Sequence, residues 1–293
     1  MRTSADKKSN KSKVVAKKMR SVVMMALLCI MLLSTATYAW FTLSDTARVL
    51  NLTLTIGGDS GLLIAPAASA NSPGIYKSVL SFGADSTDYD GSAGGARYQI
   101  GGKLLPATTS DGRTFRKPVY AAADGSVVTG LENLSGGDRL TSASGRDAEG
   151  YYYETVFWLK AVSSGDIQVT LAGKSGDDGT FVTVEDSLQA DGAAAVRISL
   201  STPSQTLVYE PHADVTGTGK GYSSATDNSR ASVVTDTMKQ NSNGVFTNRK
   251  SFTVSNAGTM VTMRIWIEGT DDMCVNEIMA EQIKAQLQFE IIE

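Results

Sequence analysis

The sequence predicts an all-β fold: an antiparallel two-sheet sandwich, jelly-roll-like, with long loop insertions and one short helix near the C-terminus. Three observations carry that expectation. Apolar residues recur with a period of two in segment after segment, clusters of Gly, Asp and Ser separate the segments, and no strands alternate with long helical patterns. The composition agrees. Of 293 residues, 42% are apolar and 19% charged, so a core is available, and much of the polar surface must come from Ser, Thr, Asn, Gln and the 28 Gly rather than from charge.

The chain opens with a basic segment that ends at Arg20, followed by the apolar run Val22–Leu33 and the small, polar stretch Ser34-Thr35-Ala36-Thr37-Tyr38-Ala39. Basic, apolar and small-residue regions in that order make an export signal over residues 1–39, with cleavage expected after Ala39 by an export signal peptidase. If uncleaved, residues 22–39 would anchor the chain in a membrane. The basic end stays on the cytoplasmic side, so residues 40–293 are expected outside the cell as a single β-sandwich domain. Residues 1–20 hold eight basic side chains against Asp6. The remainder holds 19 basic and 29 acidic side chains, a net charge of −10. Such a domain repels phosphate backbones, which argues against a nucleic-acid partner. Cys29 lies in the apolar run and Cys274 is the only cysteine after it, so no internal disulfide is expected in the exported part.

The first strand is expected at Leu50, Leu52, Leu54 and Ile56, which alternate with Asn51, Thr53 and Thr55 before Gly57-Gly58-Asp59-Ser60-Gly61 ends the pattern. Residues 65–150 read as a long, mostly loop insertion with short strands near Ala96–Ile100 and Val119–Ala121. Regular alternation then returns. Tyr151–Val162 is aromatic and β-rich; Ile167, Val169 and Leu171 follow the turn Ser163–Asp166; Val182 and Val184 follow Gly176–Gly179. Val196, Ile198 and Leu200 form a further strand, and a polar insertion covers 211–250. Val261, Met263, Ile265 and Ile267 alternate with Thr262, Arg264, Trp266 and Glu268. A helix is expected over about Val275 to Gln282, and Ile283, Ala285, Leu287, Phe289 and Ile291 close the chain.

Motifs that carry chemistry are scarce. His212 is the only histidine, so a multi-histidine zinc site and H-E-x-x-H are excluded, and a Ser-His-Asp triad would have to use a residue in a polar loop. No enzymatic activity is expected. Calcium is the one cofactor worth considering. Its candidate ligands are Asp85, Asp88 and Asp90 in one loop, and Asp271, Asp272 and Glu277 in another, where helix capping gives acids an equal purpose. In Tyr151–Trp158, alternation puts Tyr151, Tyr153 and Phe157 on one face and Tyr152 and Trp158 on the other. One set is core, and the other is an interface or the underside of a covering loop.

The most specific stretch is Ala36-Thr37-Tyr38-Ala39-Trp40-Phe41-Thr42-Leu43-Ser44-Asp45, followed by the amphipathic Val49–Ile56. A small residue, an aromatic pair, a short polar segment and a first strand after an export signal resemble the TasA/camelysin-like secreted matrix-fibre proteins of Gram-positive bacteria. Arg264-Ile265-Trp266-Ile267-Glu268-Gly269 and the closing strand are similar to the C-terminal end of such surface proteins. The resemblance implies a jelly-roll subunit of an extracellular, biofilm-matrix filament that polymerises with itself by passing an N-terminal strand to its neighbour. It departs from the family in keeping only Asp45 of the Asp-rich motif after the aromatic pair, and in its two large insertions. The physics points the same way, because a freed aromatic segment has few local places to bury its rings, and a neighbour's sheet edge would satisfy both rings and backbone. The assembly residues are therefore expected to be Trp40, Phe41, Leu50, Leu52, Leu54 and Ile56. The alternative is a cell-surface adhesin, a glycan- or calcium-binding sandwich that uses the long loops.

Overall fold

The computed structural model describes residues 19, 24–25, 47–57, 61–69, 71–83, 102–120, 127–142, 144, 147–185, 192–215, 221–222, 236–271, 273–274 and 282–292. The chain divides into two compact units, Met1–Ser44 and Asp45–Glu293. In the first, Met19, Met24 and Met25 are helical and exposed. Among the described residues no helix is long and apolar enough to cross a membrane.

The second unit is built almost wholly of strands. They are β1 (Arg48–Ile56), β2 (Leu62–Ser69), β3 (Ser72–Pro73), β4 (Val79–Gly83), β5 (Lys103–Leu104), β6 (Thr108–Thr109), β7 (Phe115–Tyr120), β8 (Val127–Asn133), β9 (Arg139–Leu140) and β10 (Glu149–Gly150). There follow β11 (Tyr152–Ala161), β12 (Ile167–Leu171), β13 (Phe181–Glu185), β14 (Val196–Ser201), β15 (Thr206–Glu210), β16 (Gly221–Tyr222), β17 (Thr237–Gln240), β18 (Phe246–Asn248), β19 (Phe252–Val254), β20 (Thr259–Ile267) and β21 (Gln282–Ile291).

Two sheets enclose the main core. The first runs β19-β12-β21-β1-β4, with β13 also on β21; the second runs β18-β17-β15-β14-β20-β11-β2-β3, with β9 also on β11. Alternation along each strand sends one set of side chains inward. Leu52, Leu54, Leu287 and Phe289 of the first sheet meet Ile64, Phe157, Met263 and Ile265 of the second in one buried cluster. The all-β sandwich predicted from the sequence is thus observed.

Three expectations are corrected. The sheets are mixed, because β1 runs parallel to β21, β15 to β17 and β9 to β11. Alternation marks a strand but not the direction of its partner. Among the described residues of 65–150 strands predominate: they form β3 to β10 and most of β2, and β6, β7, β8 and β16 make a separate four-stranded sheet. The turn between β6 and β7 packs on the outer side of β14. Gly112, at φ 68°, leaves no room for a side chain beside Thr206 and Val208, and its carbonyl accepts a 2.8 Å bond from the Ser199 hydroxyl. Every residue of β14 is buried, and this turn covers Ser199 on the side away from the main core. The 211–250 stretch likewise contributes β17 and β18. The expected strand at 96–100 and nearly all of the expected helix lie outside the described residues; Gln282 belongs to β21.

Candidate functional site

The first strand occupies an internal slot. On one side β1 pairs in parallel with β21, placing Leu52 beside Ala285, Leu54 beside Leu287 and Ile56 beside Phe289. On the other it pairs antiparallel with β4, placing Leu52 beside Phe82 and Leu54 beside Leu80. Val49, Leu52 and Leu54 are buried, and burying each side chain contributes about 1.5–3 kcal/mol. Beyond the strand, the Gly57 amide donates to the Phe289 carbonyl at 2.9 Å, and Gly61 takes φ 60° before β2. The link out of the slot is therefore short and glycine-rich: Gly57, Gly58, Asp59, Ser60, Gly61.

Simple alternation fails at one residue. Val49 pairs with Ile283 and Asn51 with Lys284, so Leu50 is an extra residue with no partner on β21, a β-bulge. The bulge turns Val49 inward at 3% exposure and leaves Leu50 at 38%. Leu50 therefore does not share the inward face of Leu52 and Leu54, as strict alternation had placed it. Ile56 is partly buried against the core. Trp40, Phe41 and Ala39 lie outside the described residues. β1 is not spare in its own subunit: both of its edges are paired, so donating it would mean exchanging it rather than adding it to an open edge.

Of the proposed calcium ligands, only Asp271 is among the described residues; Asp85, Asp88, Asp90, Asp272 and Glu277 are not. The Asp271 carboxylate receives Arg197 Nη2 at 2.7 Å and the Met273 amide at 2.8 Å, which is an ion pair and a turn cap. Among the described residues no cluster of three His, Cys, Asp or Glu is placed to hold a metal. His212 sits at φ 49° in the turn after β15.

A buried polar knot went unread in the sequence. Arg197 is nearly enclosed and binds Asp271 at 2.7 Å, Glu210 at 3.3 Å and the Val196 carbonyl at 3.0 Å. Nearby, Glu268 is 5% exposed. Its carboxylate accepts from Trp266 Nε1 at 3.0 Å, from the Thr270 hydroxyl at 2.6 Å and from the Thr270 amide at 3.2 Å. Burial pushes the Glu268 carboxyl above the ordinary value, against the opposing pull of the Thr270 and Trp266 hydrogen bonds and the Arg197 charge. Trp266 is fully buried because Phe115 of β7 meets it edge-on at 5.1 Å, while Phe115 stacks on Tyr152 at 4.2 Å. This outer layer settles the aromatic question. Tyr153 and Phe157 are core, Tyr152 lies beneath the covering sheet, and Tyr151 joins Tyr152 there instead of facing the core. The available signal was Trp266 itself, a residue rarely left on a wet face, paired with an unclaimed Phe115 in the insertion.

The knot's carboxylates are engaged by donors from their own chain, which suits a structural role. The slot holds the described part of the segment that the sequence reading expects to act in assembly. Comparison of the chain with protein-family models, with curated proteins and with solved structures yields no match.

Proposed function

We propose that the chain is a non-enzymatic extracellular structural subunit that polymerises with itself into a cell-surface or biofilm-matrix filament by exchanging its first strand. The observation that carries this reading is the position of β1. It is the N-terminal strand of the sandwich, it lies between β21 and β4, and a short glycine-rich link joins it to β2. Among the described residues β1 is the first strand of the sandwich, and withdrawing it breaks its pairings with β21 and β4 and the Ala47–Leu104 bridge just before it. The vacated slot is lined by Leu80, Phe82, Ile283, Ala285, Leu287 and Phe289, and the same strand of a neighbour restores every contact. Exchange conserves the pairing energy, so the balance is set by the linker and by whatever precedes β1. A head-to-tail transfer that does not close on itself propagates as a filament. Trp40 and Phe41, immediately upstream, supply apolar surface for the recipient.

The test is deletion of Trp40–Asp45. Filaments seen by negative-stain microscopy at micromolar concentration are expected to disappear, while circular dichroism and cooperative unfolding of the monomer persist. Filaments unchanged by the deletion would contradict the proposal.

A further inference from the structure

A contact outside the slot holds the start of β1. Ala47, the residue before the strand, is fully buried, and its carbonyl accepts from the Leu104 amide of β5 at 2.7 Å in an isolated antiparallel bridge. β5 forms a two-stranded parallel ribbon with β10, pairing Lys103 with Glu149 and Leu104 with Gly150. The Lys103 amide donates to the Ala148 carbonyl and the Leu105 amide to the Gly150 carbonyl, both at 2.7 Å. Leu140 of β9 wedges this ribbon. A Cβ on Gly102, which takes φ 92°, would stand 2.7 Å from Leu140 Cδ2, and one on Gly150 would stand 2.6 Å from Leu140 Cγ. Leu140 also pairs with Tyr153 of β11, so the ribbon is moored to the second sheet while it grips the first strand of the other. Ala47, Leu104 and Leu140 all belong to the main core.

We infer that the β5–β10 ribbon is a strap that governs release of β1: the Ala47 contact opens before the strand leaves its slot. The inference rests on the exchange reading above and deepens it by assigning what controls exchange. Trp40 and Phe41 lie upstream of Ala47, so a neighbour that draws on them meets the strap before it meets Arg48–Ile56. The strap consists of a backbone hydrogen bond and the burial of Ala47 and Leu104, enough to change a rate without deciding the fold. After exchange, the donor's Ala47 takes the same place on the recipient's Leu104, and the strap closes over the new strand.

The experiment follows assembly of the full exported chain by light scattering. Gly102→Ala crowds Leu140 within the strap, away from the slot lining, and is expected to shorten the lag roughly tenfold. Leu207→Ala, in β15 of the second sheet, weakens the core away from the strap and is expected to keep the lag within about twofold of wild type. An Ala47→Cys, Leu104→Cys pair in a Cys274→Ser background ties strand to strap when oxidised; reduced protein is expected to assemble and oxidised protein to remain monomeric. In wild-type monomer, hydrogen exchange is expected to open the Lys103, Leu104 and Leu105 amides ahead of those of β1, a readout that holds even where a variant does not fold. Amides of β1 that open first, a Gly102→Ala lag equal to wild type, or an equal shortening by Leu207→Ala overturns the strap and leaves exchange standing. Oxidised protein that assembles as readily as reduced, or wild type that forms no filaments, overturns the exchange reading, and this inference with it.

Discussion

At the scale of single residues, two side chains test different parts of the account. Leu52 is wholly enclosed between Ala285, Phe82 and the opposite sheet. Leu52→Ala is expected to cost about 2–5 kcal/mol in urea unfolding, whereas Leu50→Ala, on the bulge and 38% exposed, is expected to cost well under half of that. Glu268 tests the buried knot through pH. Its carboxyl ionises near 4.5 when unperturbed and higher in the folded protein. Below both values it is protonated in both states. As pH rises from 4.5 the unfolded chain releases its proton first, and stability is lost until the folded carboxyl ionises too. Glu268→Gln cannot make that change. The stability difference between wild type and variant is expected to favour wild type most at low pH and to move toward the variant as pH rises. A difference that stays flat across about pH 4 to 8 would contradict the burial argument.

At the scale of elements, period-two alternation located the long strands β1, β11, β12, β14, β20 and β21 correctly, because each buries one face against the opposite sheet. It missed three things, because alternation records which side chains are apolar, not what covers the other face, which way the neighbouring strand runs or how the two are registered. The covering layer buries Trp266 and Ser199, while Arg197 is enclosed with Asp271 and Glu210. Parallel pairing of β1 with β21 leaves no mark in either strand. A bulge is invisible until two strands are set in register. That last point gives a test by deletion. Removing Leu50 leaves Val49 against Ile283 and Asn51 against Lys284 in regular alternation, and is expected to preserve cooperative unfolding with a loss of about 1 kcal/mol or less. Removing Thr53 shifts half of β1 by one residue, which moves Leu52 or Leu54 to the solvent face, and is expected to abolish the native fold. Equal tolerance of both deletions in denaturant titrations would refute the register described.

At the scale of the whole molecule, the slot ties the two ends of the sandwich together: its first strand lies against its last. Contacts so distant in sequence come with a large loop-closure cost, which makes them late to form and the natural ones to satisfy from a second chain. Sequence reading expected a donor segment from its aromatic pair and its amphipathic pattern, and it expected a recipient edge that was open. The structure places β1 in its own sheet, so the proposed assembly requires a choice between its own slot and a neighbour's. The direct measurement uses that choice. Thr53 on β1 faces Ser81 on β4, so a Thr53→Cys, Ser81→Cys pair, with Cys29 and Cys274 replaced by Ser, can be joined by a short thiol cross-linker before and after assembly. Exchange predicts cross-links within one chain in fresh monomer and between chains, as a ladder on denaturing gels, in filaments. Filaments whose cross-links remain entirely within single chains would contradict it.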